Sequence, residues 1–465
     1  MNRNDLGVEG VFNPKCRLAG PTIDRLIHPC RACDADSRQS RGAIMTDTPF
    51  CPTVSAALVG LRNGGLTPQS LLDRCFARVH AREEAVGAWQ TIDEAATRRI
   101  AGLNLVGPLA GLPVGVKDII DTADLPTGYG SKAFVGHHAG ADAACVAALR
   151  YAGAVVLGKT VSTEFASMHP GKTRNPHNLK HTPGGSSSGS AAAVADGMVP
   201  VALGTQTAGS VIRPGSFCGV VAYKGSYGWT DTTGIHPLAP SFDTLGFYTR
   251  AVADIAPVRA ALAEGARDRV TARKPMIGLC RTPQWDQAGA GTKRVVENAF
   301  EKLRAAGATT FEVVCPPSWN DLIETHRRFM LREMPAIFEK IIAQRGEKIS
   351  DGFKEQVREG ASISAAEAAR HAQAIADRRG DFARMIGRGE IWLTPAAPDE
   401  APEGIERTGD PLFNRLWTLL GGPLMSLPAG TGAKGLPIGV QLVGAPGADD
   451  DLIDAAAWVE AALAK

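Results

Sequence analysis

Between residues 54 and 96 the apolar positions recur at helical spacing: in SLLDRCFARV, Leu71, Leu72, Cys75, Phe76 and Val79 share one face. From residue 107 the period changes. GPLAGLPVGVKDII (107–120) reads as a turn and then a short, wholly apolar strand ending near Lys117. ADAACVAALRYAG (141–153) predicts an apolar helix stopped by glycine, and 154–157 a buried strand. A glycine- and serine-rich stretch fills 183–230, and 252–264 again has helical spacing. Strands are expected at 275–280 and 310–315 around a helix at 290–306, then long amphipathic helices over 318–386 and a strand at 391–395. The tail predicts a helix in FNRLWTLL, strands in PLMSLPAG and IGVQLVG, and a closing helix from Asp450. Strands alternating with helices indicate an α/β fold around a mixed sheet.

Residues 1–44 break this pattern. They mix scattered charges with Pro14, Pro21 and Pro29, show no period, and are expected to be a disordered extension ahead of a start at Met45. Composition adds exclusions. Hydrophobic residues make up 44% and charged residues 21%, the balance of a soluble chain with a sizeable core. A net charge of +2 offers nucleic acid no electrostatic footprint, and no apolar run is long enough to span a membrane. Nine scattered cysteines fit reduced thiols in a cytoplasm, and the lone pair Cys30 and Cys33 lacks the second pair a metal site needs.

GAVVLGKT (153–160) matches the P-loop pattern letter for letter. A P-loop follows a strand and opens a helix, so that backbone N–H groups can ring a phosphate. Here the order is helix, glycine, strand. Phosphate binding is excluded on that ground.

Three other stretches could carry chemistry. GGSSSGSAAAVADG is either a flexible linker or, given the helix-forming Ala191–Ala195 run, a cluster of serines at a helix start. It also satisfies G-x-S-x-G through Gly185, Ser187 and Gly189, but the nucleophile elbow of an α/β-hydrolase needs a strand before it and a late histidine. LKHTPGG is no strand, and the last histidine, His371, sits in a polar helix. GTQTAGS (204–210) is either a tight strand-to-helix turn or a loop of small residues whose N–H groups converge on an oxyanion. Lys117 is either an exposed strand-end lysine or, if buried, a neutral amine able to act as a base. No S-x-x-K occurs, no H-E-x-x-H occurs, and His169, His177 and His181 flank prolines in a loop, so no metal site is indicated.

Together, the strand-end lysine, GGSSSGS and TAGS resemble the amidase signature family over roughly residues 65–255 and 390–465. The resemblance implies a large mixed sheet wrapped by helices in a single domain over 45–465, with 256–389 a helical insertion. It implies a catalytic serine–serine–lysine triad of Lys117, Ser186 and Ser210, a cis peptide before Ser186, and oxyanion donors in Thr207, Ala208, Gly209 and Ser210. It further implies a cytoplasmic amidase acting on a small-molecule amide with no metal or organic cofactor, no nucleic acid and no membrane, and a homodimer is compatible with it. Ala208 departs from the family's usual glycine and requires a negative φ. Arg213, three residues beyond Ser210 where most members place arginine two beyond, resembles the malonamidase branch, in which that arginine is associated with a substrate carboxylate. A structural arginine satisfying buried carbonyls is the alternative. Two further readings stay open. One is the glutaminase-like component of a tRNA-dependent amidotransferase, which usually carries Asp in place of Gln206. The other is a silent binding protein, which would be expected to lack a triad residue. A chain starting at Met45 is expected to fold and turn over normally; its aggregation in a soluble-expression assay would place 1–44 in the structure.

Overall fold

The computed structural model describes residues 50–465; the 1–44 extension, Met45 and the Cys30/Cys33 pair lie outside the described residues. The helical period of 54–96 resolves into several elements. Thr53 caps α1 (Val54–Arg62), and the glycines at 64 and 65 end that helix. Thr67 and Ser70 then cap each other's backbone ahead of α2 (Pro68–Val86), whose proline occupies the first turn. Gly87, at φ 65°, turns the chain out of α2 into β1 (Trp89–Thr91), and Asp93 caps α3 (Glu94–Ala101). The helical spacing over 54–96 thus belongs to three helices, separated by glycine stops and the short strand β1.

The next elements are β2 (Pro113–Lys117), α4 (Ala144–Tyr151), β3 (Val155–Thr160), α5 (Ser188–Ala195), β4 (Val201–Gln206), α6 (Ile212–Cys218), β5 (Val221–Lys224), β6 (Thr244–Thr249) and α7 (Ile255–Leu262). They are followed by β7 (Met276–Cys280), α8 (Ala290–Ala305), β8 (Thr309–Val313), α9 (Leu322–Arg345), α10 (Asp351–Ser362), α11 (Ala365–Met385) and β9 (Glu390–Pro395). The chain closes with α12 (Leu412–Leu420), β10 (Leu424–Thr431), β11 (Pro437–Gly444) and α13 (Asp449–Leu463).

All eleven strands of the described residues join one mixed sheet in the order β1-β3-β2-β4-β6-β5-β10-β11-β9-β7-β8. β2 runs parallel to β3 and β4, and β7 runs parallel to β8 and β9; the other pairs are antiparallel. The segment 256–389 is thus more than a helical insertion, because β7 and β8 extend the sheet through β9. β4, β5 and β6 carry no strand period in the sequence, yet every residue in them is buried. Strands covered on both faces need no polar alternation.

Two main apolar clusters flank the sheet. On one side Leu72, Phe76 and Ala191–Val194 pack on Val155, Leu157 and Tyr248. On the other, a larger cluster gathers α4, α7 and α8 with the long helices, where the rings of Trp319, Trp392, Trp417 and Phe382 meet edge-on or tilted, with centroids 5.5–6.4 Å apart. No helix among the described residues is long and apolar enough to cross a membrane, and the six described cysteines are free thiols.

Candidate active site

β2, hydrogen-bonded along both edges to β3 and β4 and buried at every residue, delivers Lys117 to the interior. The lysine is fully buried, with Nζ 2.7 Å from Ser186 Oγ and 2.9 Å from Thr205 Oγ1. Burial holds its amine well below the ordinary lysine range, and the Asp243 carboxylate pulls it partly back up.

Ser186 stands just ahead of α5, and the peptide joining it to Gly185 is cis. Its carbonyl accepts from Thr163 N at 3.1 Å. Ser187, the alternative nucleophile, is occupied instead: its Oγ donates to Thr205 O and accepts from Thr205 N, both at 3.2 Å. That bridge clamps α5 to β4 and removes the α/β-hydrolase reading. Lys159, the lysine of the P-loop pattern, is buried on the carbonyl of Ile120 and the hydroxyl of Thr127, 3.8 Å from Asp118.

Ser210 sits in the turn between β4 and α6. It is 7% exposed, against 0% for Lys117 and 1% for Ser186, so it is the member of the three that an incoming molecule can reach. The turn is held from outside. Gln206 Oε1 accepts from the N–H groups of Val211 and Ile212, while its Nε2 donates to Thr418 Oγ1. Thr418 Oγ1 donates in turn to Ala208 O at 2.7 Å. Thr207 Oγ1 donates to Asp243, whose other oxygen accepts from Leu238 N and Ala239 N. Burial raises the Asp243 carboxyl to about 6.

The carbonyl of Thr207 meets His326 Nε2 at 2.8 Å. A carbonyl only accepts, so Nε2 carries the hydrogen and Nδ1 accepts from Arg415 Nη1 at 3.1 Å. Burial also keeps this imidazole neutral, well below the usual histidine value. The carbonyls of Thr207 and Ala208 are thus both tied back. Among the described residues nothing accepts from the N–H groups of Ala208, Gly209 or Ser210. Ala208 does not have a positive φ, so its methyl fits.

Arg213 is buried, with Nε donating to Thr408 O and Nη2 to Gly185 O (2.7 Å) and Thr408 Oγ1. Its Nη1 is buried without a partner. The structure therefore shows the carbonyl-satisfying role and leaves one donor unused. Thr205, Asp243, His326, Thr408, Asn414, Arg415 and Thr418 escaped the sequence reading. Asp243 follows the signature stretch in SFDTLG, but a lone carboxylate in a loop gives no period or spacing to mark it. His326 lies in an ordinary amphipathic helix. No group of three His, Cys, Asp or Glu among the described residues could hold a metal ion.

The family model Amidase matches residues 71–453. The chain belongs to the amidase family, the amidase signature enzymes, and is a hydrolase acting on amide C–N bonds. It is 32% identical over 456 residues to a chain of the glutamyl-tRNA(Gln) amidotransferase of Symbiobacterium thermophilum, covering 84% of this chain and 93% of that one. It is 33% identical over 439 residues to a 2-amino-5-chloromuconic acid deaminase of Comamonas testosteroni, covering 87% and 94%. A crystal structure of an amidase superposes with a TM-score of 0.81 at 29% identity, over 88% of this chain and 99% of the other.

Gly209 shows how closely the loop is packed. A Cβ there would lie 2.4 Å from Asn414 Oδ1 and 2.9 Å from Pro411 Cβ, so the loop or α12 would have to move. Gly209→Ala should cost about 1–3 kcal/mol of stability and lower kcat by about 100-fold, the usual cost of a displaced oxyanion donor. Denaturant unfolding and steady-state kinetics measure both; unchanged kcat would mean the loop's position is immaterial.

Proposed function

We propose that this enzyme hydrolyses a small carboxamide through a covalent acyl-enzyme, with Ser210 as nucleophile and Ser186 and Lys117 as its proton relay. The observation that carries the reading is the 2.7 Å contact between a fully buried Lys117 amine and Ser186 Oγ. Ser210 Oγ attacks the amide carbonyl, its proton passes to Ser186 and the Ser186 proton to Lys117. The carbonyl oxygen, now anionic, meets the N–H groups of residues 207–210. The relay returns a proton to the departing ammonia or amine, and water then hydrolyses the acyl-serine. The chemistry calls for no metal or organic cofactor. A single domain over 45–465, acting in the cytoplasm as monomer or homodimer, completes this reading.

On the acyl side, we infer an acid bearing a terminal amide. The unused, buried Nη1 of Arg213 favours this, as does the acid named for the Comamonas testosteroni relative. Wild type should then show a higher kcat/KM for malonamate than for propionamide. Preference for long apolar amides would overturn the inference.

The relatives named for glutamyl-tRNA(Gln) amidotransferase favour a second reading, an ammonia-supplying component of such an assembly. Gln206 weighs against it, because its amide nitrogen donates to Thr418, which the usual Asp could not do. Ammonia release from glutamine alone, compared with the primary amides, separates the two.

The triad is tested by variants and pH together. Ser210→Ala should abolish acyl-enzyme on intact mass, and Lys117→Ala should lower kcat/KM by about 1,000-fold or more. The base must be neutral to accept a proton, so wild-type kcat/KM should rise with pH through a value well below the ordinary lysine figure of about 10.4. A Lys117→Ala variant keeping a tenth of wild-type turnover would refute the relay.

A further inference from the structure

Among the described residues, Cys51, Cys75, Cys145, Cys218 and Cys280 are buried and Cys315 alone of the thiols is partly exposed. Cys315 is also paired. Its Sγ lies 3.4 Å from that of Cys280, a hydrogen bond between the two sulfurs. Cys280 ends β7, and Cys315 stands two residues past Val313, the last residue of β8 and the register partner of Cys280. Parallel pairing of the two strands thus brings together thiols 35 positions apart in the chain. Arg281 fixes the same strand ends from the next position, with Nη1 2.7 Å from Glu312 Oε2.

The two sulfurs are unlike. The hydrogen bond to Cys315, together with burial, pushes the Cys280 thiol well above the ordinary cysteine value and keeps its proton in place. The same S–H, donated to Cys315, draws that thiol down toward its thiolate, against the opposing effect of its own burial. Thiolate is the form that reacts with peroxides, and here the partly exposed member of the pair is the one that favours it. A buried thiol stands directly behind it.

β8 is an outermost strand of the sheet, hydrogen-bonded to β7 alone, and none of its residues is fully buried. We propose that Cys280 and Cys315 form a peroxide-reactive thiol pair, oxidised reversibly to a disulfide that staples β8 to the sheet. The Cys315 thiolate attacks one oxygen of hydrogen peroxide; the S–O bond forms as the O–O bond breaks, and hydroxide leaves. The sulfur is oxidised by two electrons and the peroxide is reduced. Cys280 Sγ then attacks the sulfenic sulfur: the S–S bond forms, the S–O bond breaks, and the departing hydroxide takes the Cys280 proton. Protonation of the first hydroxide completes the balance, two thiols and one peroxide giving one disulfide and two waters. Five strands stand between β4 and β7, roughly 30 Å at the usual strand spacing, so the pair acts independently of the chemistry at Ser210.

The test treats reduced, full-length protein with hydrogen peroxide, then blocks the remaining thiols and digests with trypsin. On mass analysis the peptides carrying Cys280 and Cys315 should run joined, and a dithiol should separate them. Unmodified Cys315, oxidised but unjoined Cys315, or Cys315 joined to another cysteine overturns the pair. Cys280→Ser keeps a hydroxyl donor beside Cys315 but cannot close the disulfide. With peroxide and dimedone it should accumulate an adduct on Cys315 that wild type does not; no adduct there overturns the first step. Cys315→Ser, a change at the partly exposed position, should leave Cys280 unoxidised, and oxidation of Cys280 in that variant overturns the order of the two steps. In wild type the cross-link should raise the melting temperature by about 4 °C, as expected for closing a loop of this length in a chain of this size, and the dithiol should reverse it. A cross-linked protein with an unchanged melting temperature overturns the staple.

Discussion

A lysine amine enclosed in a β-sheet is the constraint around which the rest of this molecule is arranged. Placing Lys117 at the end of a strand flanked by β3 and β4 removes its water and makes the charged form expensive. What remains is an amine held well below the ordinary lysine range, with two hydroxyls in reach, those of Ser186 and Thr205. The Ser187 bridge to Thr205 then sets the start of α5 against β4, which keeps Ser186 at hydrogen-bond distance from that base. Asp243 acts on the same group from a distance. It is the carboxylate whose field raises the Lys117 amine, and it also grips Thr207 in the neighbouring loop.

The loop carrying Ser210 depends on remote parts of the chain. Its carbonyls are pulled outward by His326 from α9 and Thr418 from α12, and its following N–H groups are taken by Gln206. Tying back these carbonyls while leaving the intervening N–H groups unspent is what an oxyanion site requires, since donors must be aimed before charge develops. The helices of 318–386 and the tail thus contribute to the site as well as covering the sheet. Through His326, the same helices connect the loop to Arg415.

Much of this was legible in the sequence, for identifiable reasons. Lys117 ends an unbroken apolar run, and small residues crowd the stretches at 184–190 and 204–210, so both announce close backbone approach. The closing elements from Leu412 onward kept a clear period. By contrast β4, β5 and β6 are buried on both faces, which erases the alternation that marks a strand, and the apolar spacing over 54–96 did not show where glycines end one helix and begin the next. Arg213 was legible as a cation close to Ser210 in the chain, but the two carbonyls it satisfies leave only one of its nitrogens unspent. Asp243, His326 and Arg415 are single polar residues on otherwise ordinary loops and helices. Their significance arises from long-range contacts, and only folding brings those together.

The proposed chemistry turns on the protonation state of one side chain, and that can be read without any substrate. In Ser210→Ala protein with 13C-labelled lysine, the Lys117 side-chain carbons, assigned by their loss in Lys117→Met, should show a neutral amine at pH 7.5 that gains its proton only on acidification. A Lys117 resonance that is fully protonated at pH 7.5 and titrates near pH 10.4, as an exposed lysine does, would contradict the buried base and with it the relay.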